Sequence, residues 1–459
     1  MNLVYNVKDQ PKFGQLIIFA FQQLLAILAA TIAVPAITNG TVVTVFGESA
    51  VMMSQSAALF GAGVGTIVYL LFTKFRSPVF LGSSFAFLGS MGAAFTGAAT
   101  AGATESLGFA GLIIGSVFAG LVYVIIAIVV KAAGVKWVSK LMPPVVIGPT
   151  VAIIGLSLAG NAIGNSFGFS SPQASYTMNG AMWVNLVCAV ITLLTVIFFS
   201  VRGKKMFKLI PFILGIIAGY LAALAFTLIG RATNNDMLKV LDFSAFSSMK
   251  WVPEFTFTEA FKGFKDVNGQ YIASIAVAYV PVAFVVFAEH IADHKNLSSI
   301  IGHDLLEDPG LHCTLLGDGI GSMAGAFFGG CPNTTYGESV GCVAITGNAS
   351  VITILATAIL AIAASFCGPF VTFLSTIPTC VMGGVCITLY GFIAVSGLKM
   401  LQPVDLNDNR NLFTASVILI AGIGGMTMNI GSVTLTEVAC ALILGVIVNL
   451  LFNRPAKKE

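Results

Sequence analysis

The stretch Pro332-Asn333-Thr334-Thr335-Tyr336-Gly337-Glu338 lies inside a run of sequence that otherwise has the composition of membrane-embedded protein. It combines a carboxylate, several hydroxyl groups and a glycine, which do not suit hydrocarbon. An unpaired charge in a bilayer costs at least about 2.5–3.5 kcal/mol on insertion scales. Non-helical backbone at that depth persists only where it is buried in protein or lines a cavity. The stretch therefore predicts a broken helix at a binding site.

The composition of the whole chain is that of a polytopic membrane protein. Of its 459 residues, 57% are hydrophobic and 9% are charged, and the mean hydropathy is +0.96. Soluble domains carry about 25% charged residues. The net charge of +3 is small and gives no reason to expect a nucleic acid partner.

Apolar stretches long enough to span about 30 Å of hydrocarbon recur along the sequence. The first half contains Gln15–Thr38, Ala50–Thr73, Phe109–Val130, Lys140–Ile163, Ala181–Ser200 and Phe207–Gly230. The second half contains Gln270–Asp293, Leu311–Gly330, Ala349–Phe370, Thr376–Gly397, Asn411–Thr427 and Ser432–Asn453. Two shorter stretches with polar interruptions, Val79–Thr96 and Thr335–Gly347, bring the predicted number of segments to fourteen.

The basic residues agree with fourteen crossings. Five of the 22 Lys and Arg residues lie in one long loop, namely Arg231, Lys239, Lys250, Lys262 and Lys265. All the others fall on the opposite side of the membrane, which is then cytoplasmic because short cytoplasmic loops are rich in Lys and Arg. Both termini are predicted to be cytoplasmic. The polar N-terminus, followed by a span-length apolar run, gives no sign of a cleavable signal peptide.

A repeat divides the sequence into two halves. Residues Met142–Gly148 (MPPVVIG) resemble Ile377–Gly383 (IPTCVMG) at an offset of 235 residues. These motifs lie in segments 5 and 12, and the polar-interrupted segments are 3 and 10, so both pairs are seven segments apart. Because seven is odd, the second half must enter the membrane from the other side. Inverted repeats are typical of secondary transporters, in which paired interrupted segments indicate the substrate site.

The two interrupted segments contain the first candidate site residues. Leu81–Phe87 (LGSSFAF) and Asn333–Glu338 each begin with an extended, polar stretch and continue as a helix-compatible run. Each would direct the N-terminus of a half-helix, with free N–H groups, toward the middle of the membrane. Alternatively, Ser83 and Ser84 are small residues at a close helix contact, and Phe85 packs in lipid or in the protein interior instead of against a flat ring.

Glu338 and Glu289 are the two carboxylates of greatest interest. No Lys or Arg occurs between Lys295 and Lys399, so Glu338 is predicted to bind a ligand or to take part in coupling. Glu289 is placed at the end of segment 8, with Asp293 one turn later on the same helix face. These two residues are either helix-end charges at the water interface or poorly solvated groups suited to proton coupling.

The histidines and cysteines give weaker signals. His290 and His294 form a second pair one helical turn apart, whereas His303 and His312 follow in a loop and are predicted to be solvated. The eight Cys residues contain no CxxC pair and lie mostly in apolar runs, as small buried side chains do. No metal-ligand spacing is evident. We therefore expect no metal, no cofactor and no enzymatic activity.

These motifs together resemble a known family. The motif PNTTYGE with the following Gly341–Thr346 (GCVAIT), together with Ala288–His290 (AEH) and LGSSFAF, is similar to motifs of the nucleobase–ascorbate transporters, which are nucleobase:cation symporters. The form TTYGE resembles the bacterial uracil permease branch of that family more than its xanthine and urate branch. The resemblance covers nearly the whole chain, including Glu307–His312 (EDPGLH).

The resemblance implies an all-α polytopic fold of fourteen transmembrane segments in two inverted seven-segment repeats, with short paired strands in segments 3 and 10. Residues 15–131 and 269–371 would form a core domain from segments 1–4 and 8–11. Residues 140–230 and 374–453 would form a gate domain from segments 5–7 and 12–14, which also makes homodimer contacts. Residues 231–268 would form an extracytoplasmic loop.

The resemblance also implies a binding site for a nucleobase. Glu289 and Glu338 would hold the ring, and Gly337 and Phe85 would each supply a backbone N–H group. The further residues implied at the site are Tyr336, Ser84 and, from the gate side, Tyr390. A hydrogen bond between helices would explain the Tyr390 hydroxyl equally well. The candidates for proton coupling are Glu289, Asp293 and Glu338.

Three positions depart from the family pattern. Asp293 stands where some bacterial uracil permeases have His and other family members have Asp, so the resemblance still implies transport, with a proton relay that would differ from that of the His-containing relatives. Gln23 replaces a His in segment 1 and cannot titrate. Gly347 stands where the motif often ends in Arg.

The sequence thus predicts a uracil:H⁺ symporter that takes up uracil across the bacterial cytoplasmic (inner) membrane by alternating access, with the proton as coupling ion. One alternative is a symporter for another nucleobase, such as xanthine or another purine. An alternative of a different class is an anion transporter or channel on the same fold, although an anion site would favour Arg or Lys.

Overall fold

The computed structural model describes residues 3–134, 143–169, 173, 175–204, 206–430 and 433–452. Within these ranges the chain forms an all-α membrane fold with two small antiparallel sheets, β1–β2 and β3–β4. The fourteen predicted segments follow one another in two halves, each of which has an interrupted third member. The prediction of the fold class is therefore confirmed.

The first half contains α1 (Phe13–Phe46), α2 (Gln55–Phe72), β1 and α3 (Leu81–Ser83 and Leu88–Thr100), α4 (Glu105–Ala133), α5 and α6 (Pro144–Ser157 and Ala159–Ser166), α7 (Gly180–Arg202) and α8 (Pro211–Ala232). A loop with the short helix α9 (Thr256–Gly263) follows. The second half contains α10 (Gly269–Ile301), α11 (Leu311–Gly329), β2 and α12 (Asn333–Thr335 and Gly337–Thr346), α13 and α14 (Val351–Ser365 and Gly368–Ser375), α15 (Thr379–Lys399), α16 (Asn409–Ile423), the hairpin β3–β4 (Met428–Ile430 and Val433–Leu435) and α17 (Glu437–Phe452).

Not every segment is a full apolar helix. Among the described residues, eight helices are long and apolar enough to cross a bilayer, or nine if the bent pair α13–α14 counts as one span. The predicted segments without such a helix are 3, 9, 10, 13 and 14. Segments 3 and 10 are divided between a strand and a short helix, and the helices of segments 13 and 14 have fewer than 18 residues. Such interruptions require protein or a cavity around the exposed backbone groups.

Several boundaries differ from the predictions. Segment 1 was predicted to end at Thr38 and segment 8 at Asp293, but α1 continues to Phe46 and α10 to Ile301, because a helix can extend beyond the hydrocarbon once polar residues face water. Segment 11 bends by 81° after Ser365. Segments 13 and 14 were predicted as helices up to Thr427 and from Ser432, yet the hairpin Met428–Leu435 separates the helices. Several residues used in the predictions lie outside the described ranges: Lys136, Lys140, Met142, Lys205, Ser432, Asn453, Arg454, Lys457 and Lys458.

The helices pack in two groups. In one group α11 lies against α2 and α4, and α13 lies against α1 and α2. In the other group α15 lies against α5, α6 and α7, and α16 packs on α17. Small residues allow the closest crossings: a Cβ atom added to Gly61 of α2 would lie 2.3 Å from the carbonyl oxygen of Gly325 in α11. Close contact of backbones is a common way to pack helices in lipid.

Candidate functional site

The strands of the two interrupted segments meet at the middle of the fold. Leu81 pairs with Thr335, and Ser83 pairs with Asn333, in an antiparallel register. The amide of Ser84 donates to the carbonyl of Pro332 at 2.9 Å. A helical stretch begins directly after each strand, at Phe85 and at Gly337. The first N–H groups of these helices have no partner within the helix, so both helix starts offer donors to a ligand.

A cavity of about 180 Å³ opens beside these two helix starts, and we call it the site cavity. The residues that line it come from both groups of helices: Ser84, Phe85, Ala86, Val151, Ile154, Glu289, Ala292, Asp293, Asn296, Thr334, Thr335, Tyr336, Gly337, Glu338, Leu389, Phe392, Ile393, Ser396 and Met400. All but one of the predicted site residues are in this set.

Three carboxylates face the site cavity. Glu338 lies in the first turn of α12, and Glu289 and Asp293 lie one turn apart on α10. Asp293 is held in place by the Thr335 hydroxyl, which donates to its Oδ2 atom at 2.8 Å. Among the described residues, no Lys or Arg lines the cavity. The arrangement is suited to a neutral ligand that donates hydrogen bonds, and it is unsuited to an anion.

Glu289 is therefore not a helix-end charge at the water interface. The helix continues for three more turns beyond it, and the side chain is only partly exposed, toward the cavity. The structure thus places Glu289 within α10 beside the site cavity, and its part in proton coupling stays a prediction.

Tyr336 lines the site cavity, as predicted, and also supports the strand pair. Its hydroxyl donates to the carbonyl oxygen of Ser83 at 2.8 Å, and its ring lies against Gly82, where an added Cβ atom would be 2.3 Å from the ring carbons. The buried side chain thus braces the strand pair, and its hydroxyl is already occupied.

We expect Gly82→Ala to destabilise the protein by about 1–3 kcal/mol, the usual cost of overpacking, because the new methyl group would displace the Tyr336 ring. Gly341→Ala in α12 is the matched control, since nothing lies within 4 Å of its added Cβ atom. The melting temperature of the detergent-purified variants measures the difference. Equal melting temperatures would contradict the bracing role.

Tyr390 does not line the site cavity, which corrects the prediction for this residue. Its ring packs edge-on against Phe85, with the ring centroids 6.1 Å apart. Its hydroxyl is buried and has no hydrogen-bond partner among the described residues, so the alternative of a bond between helices is not supported either. Tyr390 thus contacts Phe85, which itself lines the site cavity.

Several polar lining residues were missed by the sequence analysis. Asn296 follows Asp293 by three residues on the same face of α10, and it would have been found if the helix had been extended. Thr334 lies in the stretch Pro332–Glu338, but its hydroxyl was not among the predicted site groups. Ser396 comes from α15, which approaches the cavity only through tertiary packing, so no local pattern indicates it.

Gln23 supports the site from segment 1. Its Nε2 atom donates to the Ser339 hydroxyl at 2.5 Å, and that hydroxyl accepts from the amide of Phe80 at 3.1 Å. The two bonds connect α1, the start of β1 and α12 beside Glu338.

Comparison with known proteins decides the family. A family model described as "Permease family" matches residues 14–431. The chain belongs to this permease family. It is 40% identical to a uracil permease of Bacillus caldolyticus, over 99% of this chain and 96% of the relative. It is 33% identical to a uracil permease of Escherichia coli (strain K12), over 98% of this chain and 94% of the relative.

Solved structures with the same fold are more distant in sequence. The transmembrane domain of the cyanobacterial bicarbonate transporter BicA aligns with a TM-score of 0.58 at 16% identity, covering 94% of this chain and 97% of that one. The murine Slc26a9 anion transporter in its inward-facing state aligns with a TM-score of 0.65 at 13% identity, covering 97% of this chain and 69% of that one. At these identities the likeness concerns the fold alone.

A buried polar network lies beside the site on the neighbouring face of α10. The His290 Nδ1 atom is 2.7 Å from Asp318 Oδ2, and its Nε2 atom is 3.0 Å from the Thr314 hydroxyl. The His294 Nε2 atom is 2.7 Å from the Tyr69 hydroxyl. All of these side chains are buried, so the network fixes α10 to α11 and α2 behind the carboxylates.

No role was predicted from the sequence for His290 and His294, and neither Asp318 nor Tyr69 was among the predicted site residues. His303 and His312 were predicted to be solvated residues of a loop. His303 is exposed and lies near Asp308, whereas His312 belongs to the first turn of α11. Arg76 also pairs with Asp308, and this hydrogen bond holds the pKa of the Asp308 carboxyl below its usual range.

Replacement of Asp318 by Asn is expected to lower the free energy of unfolding of this permease by about 1–3 kcal/mol. The buried carboxylate is the Nδ1 partner of His290, and an amide oxygen in its place accepts a weaker hydrogen bond than a carboxylate does. Melting of the variant and of Ser322→Ala, a neighbouring buried position on α11 outside the network, measures the effect. A variant as stable as the wild type would contradict the anchoring role.

A small pocket continues from the site cavity past Phe85, and it contains another carboxylate. Phe85, Ala86 and Ile154 line both spaces. Beyond them the pocket is lined by Ser90 of α3 and by Glu437, the first residue of α17. Glu437 was not considered in the sequence analysis, because its position at a helix start depends on the unpredicted hairpin before it.

Proposed function

We propose that the chain is a uracil permease that imports uracil together with a proton. The single observation that carries this proposal is the site cavity, where three carboxylates and two helix starts meet without a cation. The identity of 33–40% with uracil permeases over nearly the full length supports the choice of substrate.

The hydrogen-bonding groups of uracil match the cavity. The ring has two N–H donors and two carbonyl acceptors. Glu289 and Glu338 would accept from the N–H groups, while the backbone N–H groups of Phe85 and Gly337 would donate to the carbonyls. A site with buried polar groups of this kind rejects analogues that leave them unpaired, by up to ~10⁴-fold.

The proton follows from the same carboxylates. Three negative charges around one cavity repel each other, and among the described residues no Lys or Arg in the lining offsets them. Since uracil is neutral, its binding does not relieve this repulsion, whereas one proton shared among Glu289, Asp293 and Glu338 does. Binding of uracil and a proton together is then more favourable than binding of either one alone.

Transport would proceed by movement of the two helix groups. Segments 1–4 and 8–11 would act as the core domain and segments 5–7 and 12–14 as the gate domain, which would also form a homodimer. The site cavity lies between them, lined by Glu289 and Glu338 on one side and by Ile154 and Ser396 on the other. We place this multi-pass protein in the bacterial cytoplasmic membrane with both termini in the cytoplasm.

A thermal-shift screen at two pH values tests the substrate. Uracil should raise the melting temperature, more at the lower pH because proton and uracil bind together, and xanthine, adenine, bicarbonate and sulfate should not. Stabilisation by xanthine without uracil would identify a purine symporter, and stabilisation by the anions alone would identify an anion carrier. Either result would overturn the proposal.

A further inference from the structure

A second cavity of about 200 Å³ lies between the same two helix groups. We call it the amide chamber, after the carboxamide side chains that line it together with a threonine: Asn39, Gln55, Asn161, Asn165 and Thr379. They come from α1, α2, α6 and α15. None of these residues belongs to the site cavity.

The amide chamber and the site cavity are displaced from each other along α15. Leu389 is the α15 residue of the site cavity nearest to the chamber, about 10 Å along the helix from Met382. Along α15, Met382 lines the chamber and Ser396 lines the site cavity. At a rise of 1.5 Å per residue these positions are about 21 Å apart. Tyr390 lies between them and packs against Phe85. We call the contact between these two aromatic rings the Phe85–Tyr390 barrier.

The chemistry of the chamber favours a neutral ligand with amide groups. Among the described residues, no charged side chain lines it. Asn39 is fixed by the backbone of Met53, since its Nδ2 atom donates to the carbonyl at 3.0 Å and its Oδ1 atom accepts from the amide at 2.7 Å. In contrast, the Oε1 atom of Gln55 is buried and has no hydrogen-bond partner among the described residues.

An unpaired buried amide oxygen costs free energy unless a donor reaches it. A ring N–H group is such a donor, and a ring carbonyl can accept from the N–H₂ group of a neighbouring carboxamide such as Asn161. Carboxamides thus offer adjacent donor and acceptor groups that complement those of a cyclic amide.

We propose that the amide chamber is a second, weaker binding site for the substrate class of the permease, neutral rings with adjacent N–H and C=O groups, on the far side of the Phe85–Tyr390 barrier. This inference rests on the proposed function. The chamber would hold the ring when the barrier is closed, and the ring would reach the carboxylates when it opens. Without a carboxylate to bind its N–H groups, the ring is held less tightly than in the site cavity.

Equilibrium dialysis with radiolabelled uracil tests the proposal on the full-length purified protein. The wild type should show one tight and one weak class of sites. Glu338→Ala should weaken the tight class about 10- to 100-fold and leave the weak class unchanged. In the wild-type background, Gln55→Met and, separately, Asn161→Leu should weaken the weak class about three- to tenfold, the effect of losing a hydrogen bond, and leave the tight class unchanged.

Gln22→Met is the matched control, because the Oε1 atom of Gln22 is also buried without a partner among the described residues and lines neither cavity. In the wild-type background it should leave both classes unchanged. Absence of a weak class, or a weak class insensitive to both chamber variants, would overturn the inference while leaving the proposed function intact. Absence of a tight class in the wild type would overturn the proposed function, and this inference with it.

Discussion

Replacement of Glu338 by Ala is expected to weaken uracil binding about 10- to 100-fold and to abolish transport. Hydrogen bonds to charged groups contribute about 1.5–3 kcal/mol, and every 1.4 kcal/mol corresponds to a tenfold change in affinity. Removal of the carboxylate leaves a ring N–H group without an acceptor in a partly enclosed cavity. Isothermal titration calorimetry of the purified variant measures the change.

The control for this variant is Glu48→Ala. Glu48 is exposed in the turn after α1 and does not line the site cavity. Its replacement should leave the affinity for uracil unchanged. If Glu338→Ala binds uracil as tightly as the wild type, the ring does not contact this carboxylate and the assignment of the cavity is wrong.

Replacement of Glu289 by Gln should have an effect of the same order, about 10- to 100-fold on affinity. The amide keeps the shape of the side chain but loses the charge that strengthens the hydrogen bond from the ring. It also removes one of the three repelling carboxylates, so the remaining binding should depend less on pH. Affinities measured at two pH values test both statements.

Asp293→Asn is the informative comparison for Glu289→Gln. The Oδ2 atom of Asp293 already accepts from the Thr335 hydroxyl, so this residue has less capacity left for the ring. We therefore expect its affinity for uracil to fall by less than that of Glu289→Gln. The reverse order would mean that Asp293, and not Glu289, holds the ring.

Much of the fold could be predicted from the sequence because the bilayer constrains it strongly. Span-length apolar runs and the distribution of Lys and Arg indicated fourteen segments, and the cost of burying Glu338 marked segment 10 as exceptional. The pairing of Leu81–Ser83 with Asn333–Thr335 followed from the family resemblance, not from the residues, and it is confirmed.

The remaining features depend on tertiary packing. Hydropathy alone could not show that α10 continues to Ile301, because its last turns are polar. The partnership of His290 with Asp318 joins two helices through buried side chains, and neither residue lies in a motif that predicts the other. The contact of Tyr390 with Phe85 depends on how α15 packs in the fold, which no local pattern encodes.

Uptake of radiolabelled uracil into proteoliposomes with an imposed pH gradient tests the central claim most directly. With the side of entry more acidic than the opposite side, the wild type should accumulate uracil above its external concentration, and collapse of the gradient with a protonophore should release the excess. The Glu338→Ala variant should show neither effect. Uptake that is indifferent to the gradient, or that is unchanged in the Glu338→Ala variant, would contradict the account.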